Sequence, residues 1–275
     1  MNISSRTRKT LLHRKTNVTK TPEQIELTKL QARLTKRFHK ACADYGLIAD
    51  GDHILIGLSG GKDSLALVEL LGRRAQIYKP HFRVTALHVR VKERNYQSDL
   101  SYLESFCAEA KVPFLVRDTE IGEMSHSDNG LTGAAGPKNE CFLCSWYRRK
   151  TLFNVAQELG CNKIAFGHHR DDVLETMLMN LLFQGTFATM PPILPLDKMP
   201  LAIIRPLCLI DEEDLIRFAQ MQGYQKQTRL CPFEHVSSRA QAKNLLAQMK
   251  QLNPEASDSM FAALTNIKTA YLPPH

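Results

Sequence analysis

Six consecutive residues near the start of the chain have the types and spacing of an anion-binding turn. They follow an apolar run at 54–58 and read Ser59, Gly60, Gly61, Lys62, Asp63 and Ser64. Glycines let backbone N–H groups approach a ligand closely, and the N-terminus of the helix expected after them adds partial positive charge. The pattern predicts a strand, a turn and a helix that together bind an anion, and phosphate is the anion that fits best.

Other motifs compete for the same residues. A Walker A loop needs a glycine where Ile56 stands and a serine or threonine where Asp63 stands, so that motif fails at two positions. The run 57–61 satisfies G-x-S-x-G, which would make Ser59 the nucleophile of an α/β-hydrolase. A glycine-rich turn that binds no ligand is the remaining alternative.

A second polar group follows a later candidate strand at 163–166. It reads Gly167, His168, His169, Arg170, Asp171 and Asp172. The carboxyl ends of parallel strands meet at one edge of a sheet, so we expect this group beside the phosphate turn, with Gly167 and His168 at the nucleotide. Asp171 and Asp172 either hold Mg²⁺, which bridges phosphate oxygens, or cap the next helix.

The cysteines offer a further chemistry. The chain has seven cysteines and we expect no secretory signal, which argues against a disulfide framework and towards metal or redox chemistry. Cys141 and Cys144 form a C-x-x-C pair, and Cys231 lies in a later loop-like stretch. The pair fits a thioredoxin-type dithiol, half of a zinc site or part of an iron–sulfur site. The remaining cysteines lie in apolar patterns and are interpreted as core residues: Cys42, Cys107, Cys161 and Cys208.

Strand and helix patterns alternate along most of the chain. Strands are predicted at 54–58, 84–89, 114–116, 163–166 and, more weakly, 202–205, and helices at 64–75, 99–111, 143–159, 171–183 and 211–222. This alternation predicts an α/β fold with a doubly wound parallel sheet, which binds ligands beyond the carboxyl ends of its strands. After residue 235 the pattern is helical.

Charge and composition suggest how the chain is organised. Residues 1–20 form a basic tail, which is a disordered segment, an RNA-contacting arm or an organelle transit peptide. Residues 21–46 form a helix capped by Thr21, residues 47–235 the nucleotide-binding domain, and residues 236–275 a helical region. The net charge of +8 favours a polyanionic partner. The first helix carries a basic face, and beside a nucleic acid that face would contact phosphates: Lys29, Arg33, Lys36, Arg37 and Lys40. No apolar run approaches eighteen residues, so we expect no membrane span and a cytoplasmic protein.

Five motifs in order resemble the tRNA 2-thiocytidine synthetase family, within the PP-loop ATP pyrophosphatase superfamily. They are the residues 59–64, the C-x-x-C pair followed by Arg148 and Arg149, the residues 167–172, the run 203–207, and Cys231. The resemblance implies that ATP adenylates a cytosine O2 in the tRNA anticodon loop, at position 32, and that sulfur then displaces AMP. Lys62 and Asp63 would act at the phosphates.

The same resemblance implies the cofactors and the partners. Cys141, Cys144 and Cys231 would hold a [4Fe–4S] cluster with one iron free of protein ligands, and Arg148 would point at the transferring group. ATP and Mg²⁺ complete the cofactors. The expected partners are tRNA and a sulfur donor such as a cysteine desulfurase, and a homodimer is left open.

Three features depart from the family pattern, and two rival functions stay open. Arg90 and Lys92 stand where an acid is usual after the second strand, Thr228 stands where some members have another cysteine, and the loop 122–139 is longer. One rival is a zinc-stabilised RNA-binding protein in which His235 joins the three cysteines. The other is the hydrolase that uses Ser59.

Overall fold

The computed structural model describes residues 21–92, 98–120, 137–227 and 238–273, and for residues 137–142 and 238 it describes the backbone only. The basic segment 1–20, Cys231 and His235 therefore lie outside the described residues, and Cys141 is placed by its backbone. The division into domains stays a prediction.

A six-stranded sheet forms the centre of the fold. Its strands are β1 (His53–Gly57), β2 (Arg83–Val91), β3 (Phe114–Thr119), β4 (Lys163–Ala165), β5 (Ile193–Pro195) and β6 (Ala202–Ile204). The spatial order is β3-β2-β1-β4-β6-β5, and each neighbouring pair is parallel except β5 with β6. The predicted doubly wound sheet is confirmed. The strand order reverses between β1 and β4, which opens a crevice at their carboxyl ends, where such sheets bind ligands.

Helices cover both faces of the sheet. They are α1 (Pro22–Asp44), α2 (Lys62–Ala75), α3 (Leu100–Glu109), α4 (Pro137–Glu158), α5 (Arg170–Gln184), α6 (Glu212–Met221), α7 (Ser238–Leu252) and α8 (Ala256–Ala263), followed by a short 3-10 helix, Thr269–Tyr271. The two helices after residue 235 match the predicted helical region. Among the described residues, no helix combines the length and the apolar character needed to cross a membrane.

Alternation along β1 divides the core into two layers. Ile54 and Ile56 pack into the larger cluster, with side chains of α1, α2, α3 and α6, whereas Leu55 packs into a smaller one with α4. A third cluster joins α5 to α7 and α8 through residues such as Leu174 and Leu246. Strands that are apolar on both sides are typical of a parallel sheet covered by helices.

The four cysteines with apolar neighbours are core groups, as predicted. Cys107, Cys161 and Cys208 are buried, and Cys42 packs against the larger cluster. Burial raises the pKa of Cys42, Cys107 and Cys208 to about 12 and that of Cys161 to about 11. These thiols are therefore protonated at neutral pH and poor metal ligands.

Helix α1 begins as predicted, but part of its basic face has an internal role. Thr21 and Gln24 form a capping box, with Thr21 N donating to Gln24 Oε1 over 2.9 Å. Arg33 Nε donates to Asp214 Oδ2 of α6 over 3.0 Å, and Arg37 Nη1 lies 3.9 Å from the same carboxylate. These two arginines dock α1 onto α6, so they are not simply a solvated face.

Three features differ from the predicted elements. Helix α2 begins at Lys62 rather than at Ser64, which places Lys62 and its neighbour in the first turn. Helix α4 begins at Pro137 rather than at residue 143, so the C-x-x-C pair lies inside the helix and not before it. Proline suits a first helical turn because its missing N–H needs no partner there. Strand β5 was not predicted, since three residues ending in Pro195 are too short for a pattern, and proline restricts them to an edge.

Candidate active site

The turn between β1 and α2 is held by a histidine of β2 and by hydrogen bonds among its own residues. The buried His88 places Nδ1 2.8 Å from the carbonyl oxygen of Leu58, where the turn begins. Ser64 Oγ donates to the carbonyl of Gly61 over 2.9 Å, and Ser59 Oγ lies 3.1 Å from Ser64 Oγ. Both hydroxyls are therefore used in shaping the turn, which weakens the interpretation of Ser59 as a nucleophile.

The N-terminus of α2 has the form of an anion site. Gly61 is the N-cap residue and supplies no side-chain hydrogen bond to the first turn. The first N–H groups of a helix have no partner within the helix, and the helix dipole favours negative charge there. Gly60 has φ +79°, a left-handed conformation that glycine adopts without strain. The glycines therefore fit a phosphate cradle.

A later segment of the chain lies directly over this turn. A Cβ built on Gly60 would stand 2.8 Å from Cγ of Gln227. The Gln227 side chain is buried, and its Oε1 accepts a hydrogen bond of 2.7 Å from the N–H of Asp99. Gln227 comes four residues before Cys231 in the sequence. The last described residue before the segment with the third candidate ligand therefore lies against the phosphate turn.

Lys62 faces two acids. Its Nζ lies 3.1 Å from Asp63 Oδ1 and 3.3 Å from Glu212 Oε1. Glu212 also accepts from Lys243 Nζ of α7 over 2.7 Å. Burial would raise the pKa of Glu212, but the hydrogen bond from Lys243 and the charge of Lys62 lower it. Glu212 is therefore ionised at neutral pH and links the phosphate turn to α7.

Gly167 brings the two polar motifs together. A Cβ built on Gly167 would lie 3.0 Å from the carbonyl oxygen of Asp63 and 3.1 Å from the N–H nitrogen of Ser64. The end of β4 thus packs directly against the first turn of α2. The predicted proximity of the two motifs is confirmed, and Gly167 is what permits it.

The two histidines after Gly167 have different environments. His168 has a buried Nδ1 with no hydrogen-bond partner within the described ranges. Burial lowers the pKa of His168 to about 4, although the nearby Asp172 opposes the shift, so the ring is neutral at pH 7. His169 is the N-cap of α5: its Nδ1 accepts from the N–H of Asp172, whose Oδ2 accepts from the N–H of His169 over 3.1 Å.

Asp171 and Asp172 both take part in structural contacts. Asp171 is buried, and its Oδ2 accepts from the N–H of Glu212 over 2.8 Å while Oδ1 pairs with Lys250 of α7. Burial would raise the pKa of Asp171, but these hydrogen bonds lower it. Asp172 completes the capping box through Oδ2. The predicted role of the two carboxylates at Mg²⁺ stays a prediction.

The C-x-x-C pair lies on a helix that rises past the site. Leu152 of α4 lies 3.7 Å from a Cβ built on Gly57, at the carboxyl end of β1. The other end of the helix turns back beside His53, whose N–H donates to Asn162. Because α4 rises about 1.5 Å per residue, Cys144 lies about 12 Å beyond Leu152 along the helix axis. The buried Cys144 and the half-buried Arg148 are therefore on the phosphate side of the sheet.

The residues fit the expected cofactors to different extents. The glycine cradle, the α2 N-terminus and the orphan Nδ1 of His168 fit a nucleotide. Cysteine thiolates are the usual ligands of an iron–sulfur cluster. Within the part of the chain that the structure describes, no three histidine, cysteine or acidic side chains converge on a metal position. Of the three predicted cluster ligands, only Cys144 has a described side chain.

Arg90 and Lys92, the two basic residues that depart from the family pattern at the end of β2, form ion pairs with acids of the neighbouring strand β3 and its end. Arg90 Nε and Nη2 donate to the two oxygens of Asp118 over 2.6 and 2.9 Å, and Lys92 Nζ lies 2.5 Å from Glu120. The hydrogen bond from Arg90 lowers the pKa of Asp118. The carboxylates at this edge of the sheet thus come from β3 and the end of that strand rather than from β2.

Comparisons with known proteins agree with this geometry. The profile of the PP-loop domain family matches residues 27–227. A tRNA-cytidine(32) 2-sulfurtransferase of Marinomonas sp. is 36% identical over 258 residues, which are 92% of this chain and 89% of that protein. Its counterpart in Cellvibrio japonicus is 33% identical, over 94% of this chain and 83% of that protein. The chain belongs to the tRNA-cytidine(32) 2-sulfurtransferase family.

A solved structure supports the fold of this family member. The U34-tRNA thiolase NcsA from Methanococcus maripaludis, solved with its [4Fe-4S] cluster, has a TM-score of 0.70. It is 23% identical, and the match covers 87% of this chain and 80% of that chain. The resemblance to the family and the α/β fold are both confirmed.

Several site residues of this family member were missed in the sequence. Glu212 of α6 pairs with Lys62, and Lys243 of α7 pairs with Glu212. Lys250 reaches Asp171, and Gln227 covers Gly60. Each lies in a helix or loop whose local pattern has no motif. A charge on the inner face of an amphipathic helix was the available signal for the lysines of α7.

Proposed function

We propose that this chain is an ATP-dependent tRNA sulfurtransferase that replaces O2 of a cytidine, at position 32 of tRNA, with sulfur. The relatives of that name align over most of both chains, which supports the substrate. The observation that carries the nucleotide half of the proposal is the packing of Gly167 on the first turn of α2. When bound, ATP activates the cytosine oxygen as a leaving group, and the cluster supplies a site for the transferred sulfur.

Lys62 and the first turn of α2 neutralise the departing pyrophosphate. Lys62 is about a quarter exposed and is now held by Asp63 and Glu212. A phosphate group at the α2 N-terminus attracts the same ammonium, so Lys62 exchanges Glu212 for phosphate. Glu212 stays balanced in this exchange because Lys243 continues to pair with it. Preorganised donors of this kind stabilise charge that develops in the transition state.

The carboxylates divide their work between metal binding and positioning. Asp63 and Asp172 are the metal ligands in this proposal, because Oδ1 of Asp172 has no hydrogen bond in the described portion of the chain. Asp171 instead holds Glu212 and Lys250 in place, since both of its oxygens are engaged. His168 enters the reaction as a neutral ring that hydrogen-bonds the nucleotide or the substrate through Nδ1.

The sulfur side of the reaction is assigned to α4. Cys141, Cys144 and Cys231 hold the cluster in this proposal, and Arg148, one turn after Cys144, directs its charge towards the transferring group. The position of α4 beyond the carboxyl end of β1 supports this assignment. A sulfur donor such as a cysteine desulfurase, a homodimeric assembly and a cytoplasmic location complete the proposal.

The decisive experiment uses a Lys62→Ala variant in cells that lack the native gene. Mass spectrometry of the tRNA nucleosides should detect 2-thiocytidine with the wild-type chain and a loss of about 100-fold or more with the variant. The variant should fold, because Lys62 lies outside the hydrophobic core. In vitro, the wild type should release AMP and pyrophosphate only when tRNA is present.

Lys79→Ala is the matched control. Lys79 is an exposed lysine in the loop before β2, at the opposite edge of the sheet from Lys62. This control should keep wild-type levels of 2-thiocytidine. Unchanged 2-thiocytidine in the Lys62→Ala variant, or its absence from cells with the wild-type gene, would contradict the proposal.

A further inference from the structure

The only tryptophan of the chain lies on α4, just after the C-x-x-C pair. Its ring makes a T-shaped contact with Tyr147, with centroids 4.9 Å apart and planes at 86°. Neither ring is among the side chains that pack against the three hydrophobic clusters of the described residues. Both rings are partly exposed. The family motif and the core therefore leave this aromatic pair unexplained.

Three basic residues follow the aromatic pair along α4. Lys150 Nζ lies 4.9 Å from the centroid of the Trp146 ring, a cation–π distance. Arg148 and Arg149 come directly before it in the sequence, and Arg149 Nη2 donates to Ser145 Oγ over 3.0 Å. No acidic residue occurs between Cys141 and Gln157. This surface is positively charged as well as aromatic.

The position of the pair relates it to the phosphate turn. Leu152 lies level with Gly57 at the carboxyl end of β1, and α4 runs from there outward to its N-terminus. Trp146 is six residues nearer that N-terminus, so it lies about 9 Å beyond Leu152 along the axis. The aromatic pair therefore lies on the phosphate side of the sheet, beyond the carboxyl end of β1.

We propose that Trp146 and Tyr147 form a stacking platform for an unpaired nucleobase of the tRNA anticodon loop, with Lys150 contacting an adjacent phosphate. This inference rests on the proposed function and adds to it the element that orients the loop. Sequence-specific RNA recognition uses splayed bases of single-stranded loops that stack on aromatic side chains, and double helices hide those faces. The positive charge of the surface favours RNA over a second copy of this basic chain.

The experiment uses Trp146 as its own probe. An RNA hairpin with the anticodon loop of a tRNA that carries cytidine 32 is titrated into the full-length protein. Stacking of a base on Trp146 should quench the tryptophan fluorescence, and the quenching should saturate. The signal reports on Trp146 alone, because this chain has no other tryptophan. Trp146→Ala should weaken binding of the labelled hairpin by about 5-fold to 150-fold, the range for loss of one base stack. Trp146→Phe should keep most of the affinity because it keeps a stacking face.

Salt dependence separates stacking from phosphate contact. Trp146→Ala should leave the slope of log affinity against log salt unchanged, whereas Lys150→Met should reduce its magnitude by about 0.7, as expected for one lost contact to a single strand. Tyr78→Ala is the matched control, because Tyr78 is 82% exposed and also has a lysine over its ring, with Lys79 Nζ 6.0 Å from the centroid. It lies in the loop before β2, at the opposite edge of the sheet, and its loss should change nothing.

The outcomes distinguish this inference from the proposed function. Wild-type affinity in Trp146→Ala, or an equal loss in Tyr78→Ala, would overturn the platform even if the wild type makes 2-thiocytidine. A Trp146→Ala variant that binds RNA normally but changes its oligomeric state would assign the surface to a protein contact and also overturn it. If the wild type binds the hairpin with quenching but makes no 2-thiocytidine, the proposed function fails and the platform stands.

Discussion

Replacing Gly60 with alanine should abolish nucleotide binding and destabilise the fold, because an added Cβ meets two separate obstacles. The backbone of Gly60 has φ +79°, a conformation that costs other residues about 1–2 kcal/mol. The new Cβ would also stand 2.8 Å from Cγ of Gln227, closer than carbon atoms pack. Gln227 is not free to swing away, since its Oε1 accepts from the N–H of Asp99 over 2.7 Å.

The magnitude follows from adding the two obstacles. Overpacking in a tight site costs about 1–3 kcal/mol, so Gly60→Ala should lose about 2–5 kcal/mol of unfolding free energy. Gly51→Ala is the matched control: Gly51 has φ +81°, but its added Cβ would meet nothing within 4 Å. It should lose only the backbone part, about 1–2 kcal/mol.

Thermal unfolding followed by circular dichroism measures both variants, and calorimetric titration measures ATP binding. At about 2–4 °C per kcal/mol, the melting temperature should fall about 4–20 °C for Gly60→Ala and about 2–8 °C for Gly51→Ala. Only Gly60→Ala should lose the ability to bind ATP. In a Gln227→Ala background, Gly60→Ala should lose only about 1–2 kcal/mol, the cost of the backbone conformation, because the contact with the Gln227 side chain is then gone.

Two results would refute this reasoning. One is a Gly60→Ala variant as stable as Gly51→Ala with ATP binding intact, which would mean that neither the contact nor the cradle is real. The other is an equally large loss from Gly60→Ala in the Gln227→Ala background, which would mean that Gln227 does not lie over the turn.

Two further predictions concern protonation and the metal. Burial raises the pKa of Glu175 to about 7. Ionisation of Glu175 therefore destabilises the folded chain as the pH rises from about 4.5 to 7, by up to about 3 kcal/mol. Glu175→Gln should raise the melting temperature relative to wild type more at pH 8 than at pH 5, and an equal change at both pH values would refute the burial argument. If the three cysteines hold the iron–sulfur cluster, anaerobically purified wild type and His235→Ala should be brown and Cys231→Ala should be colourless. Colourless wild-type protein that contains zinc, and loses it in both variants, would instead identify a structural zinc site.

The sequence by itself determined the local devices of this protein. The phosphate turn was predictable because its glycines, the start of α2 and the preceding apolar strand are contiguous, and their conformational preferences act over a few residues. The doubly wound sheet followed from the alternation of strands and helices, since the apolar residues of β1 are buried on both faces. The capping box at Thr21 and the core positions of Cys107 and Cys208 were predictable for the same local reasons.

Only the tertiary structure decided how these local elements contact one another. The contact of Gly167 with Asp63, the ion pair of Glu212 with Lys62 and the packing of Gln227 on Gly60 each join residues more than 100 positions apart. No local preference encodes such pairs, because they depend on the strand order that sets β1 beside β4 and on the helices that pack around it. The early start of α4 and the edge strand β5 were missed since short or unpatterned segments take their conformation from their neighbours.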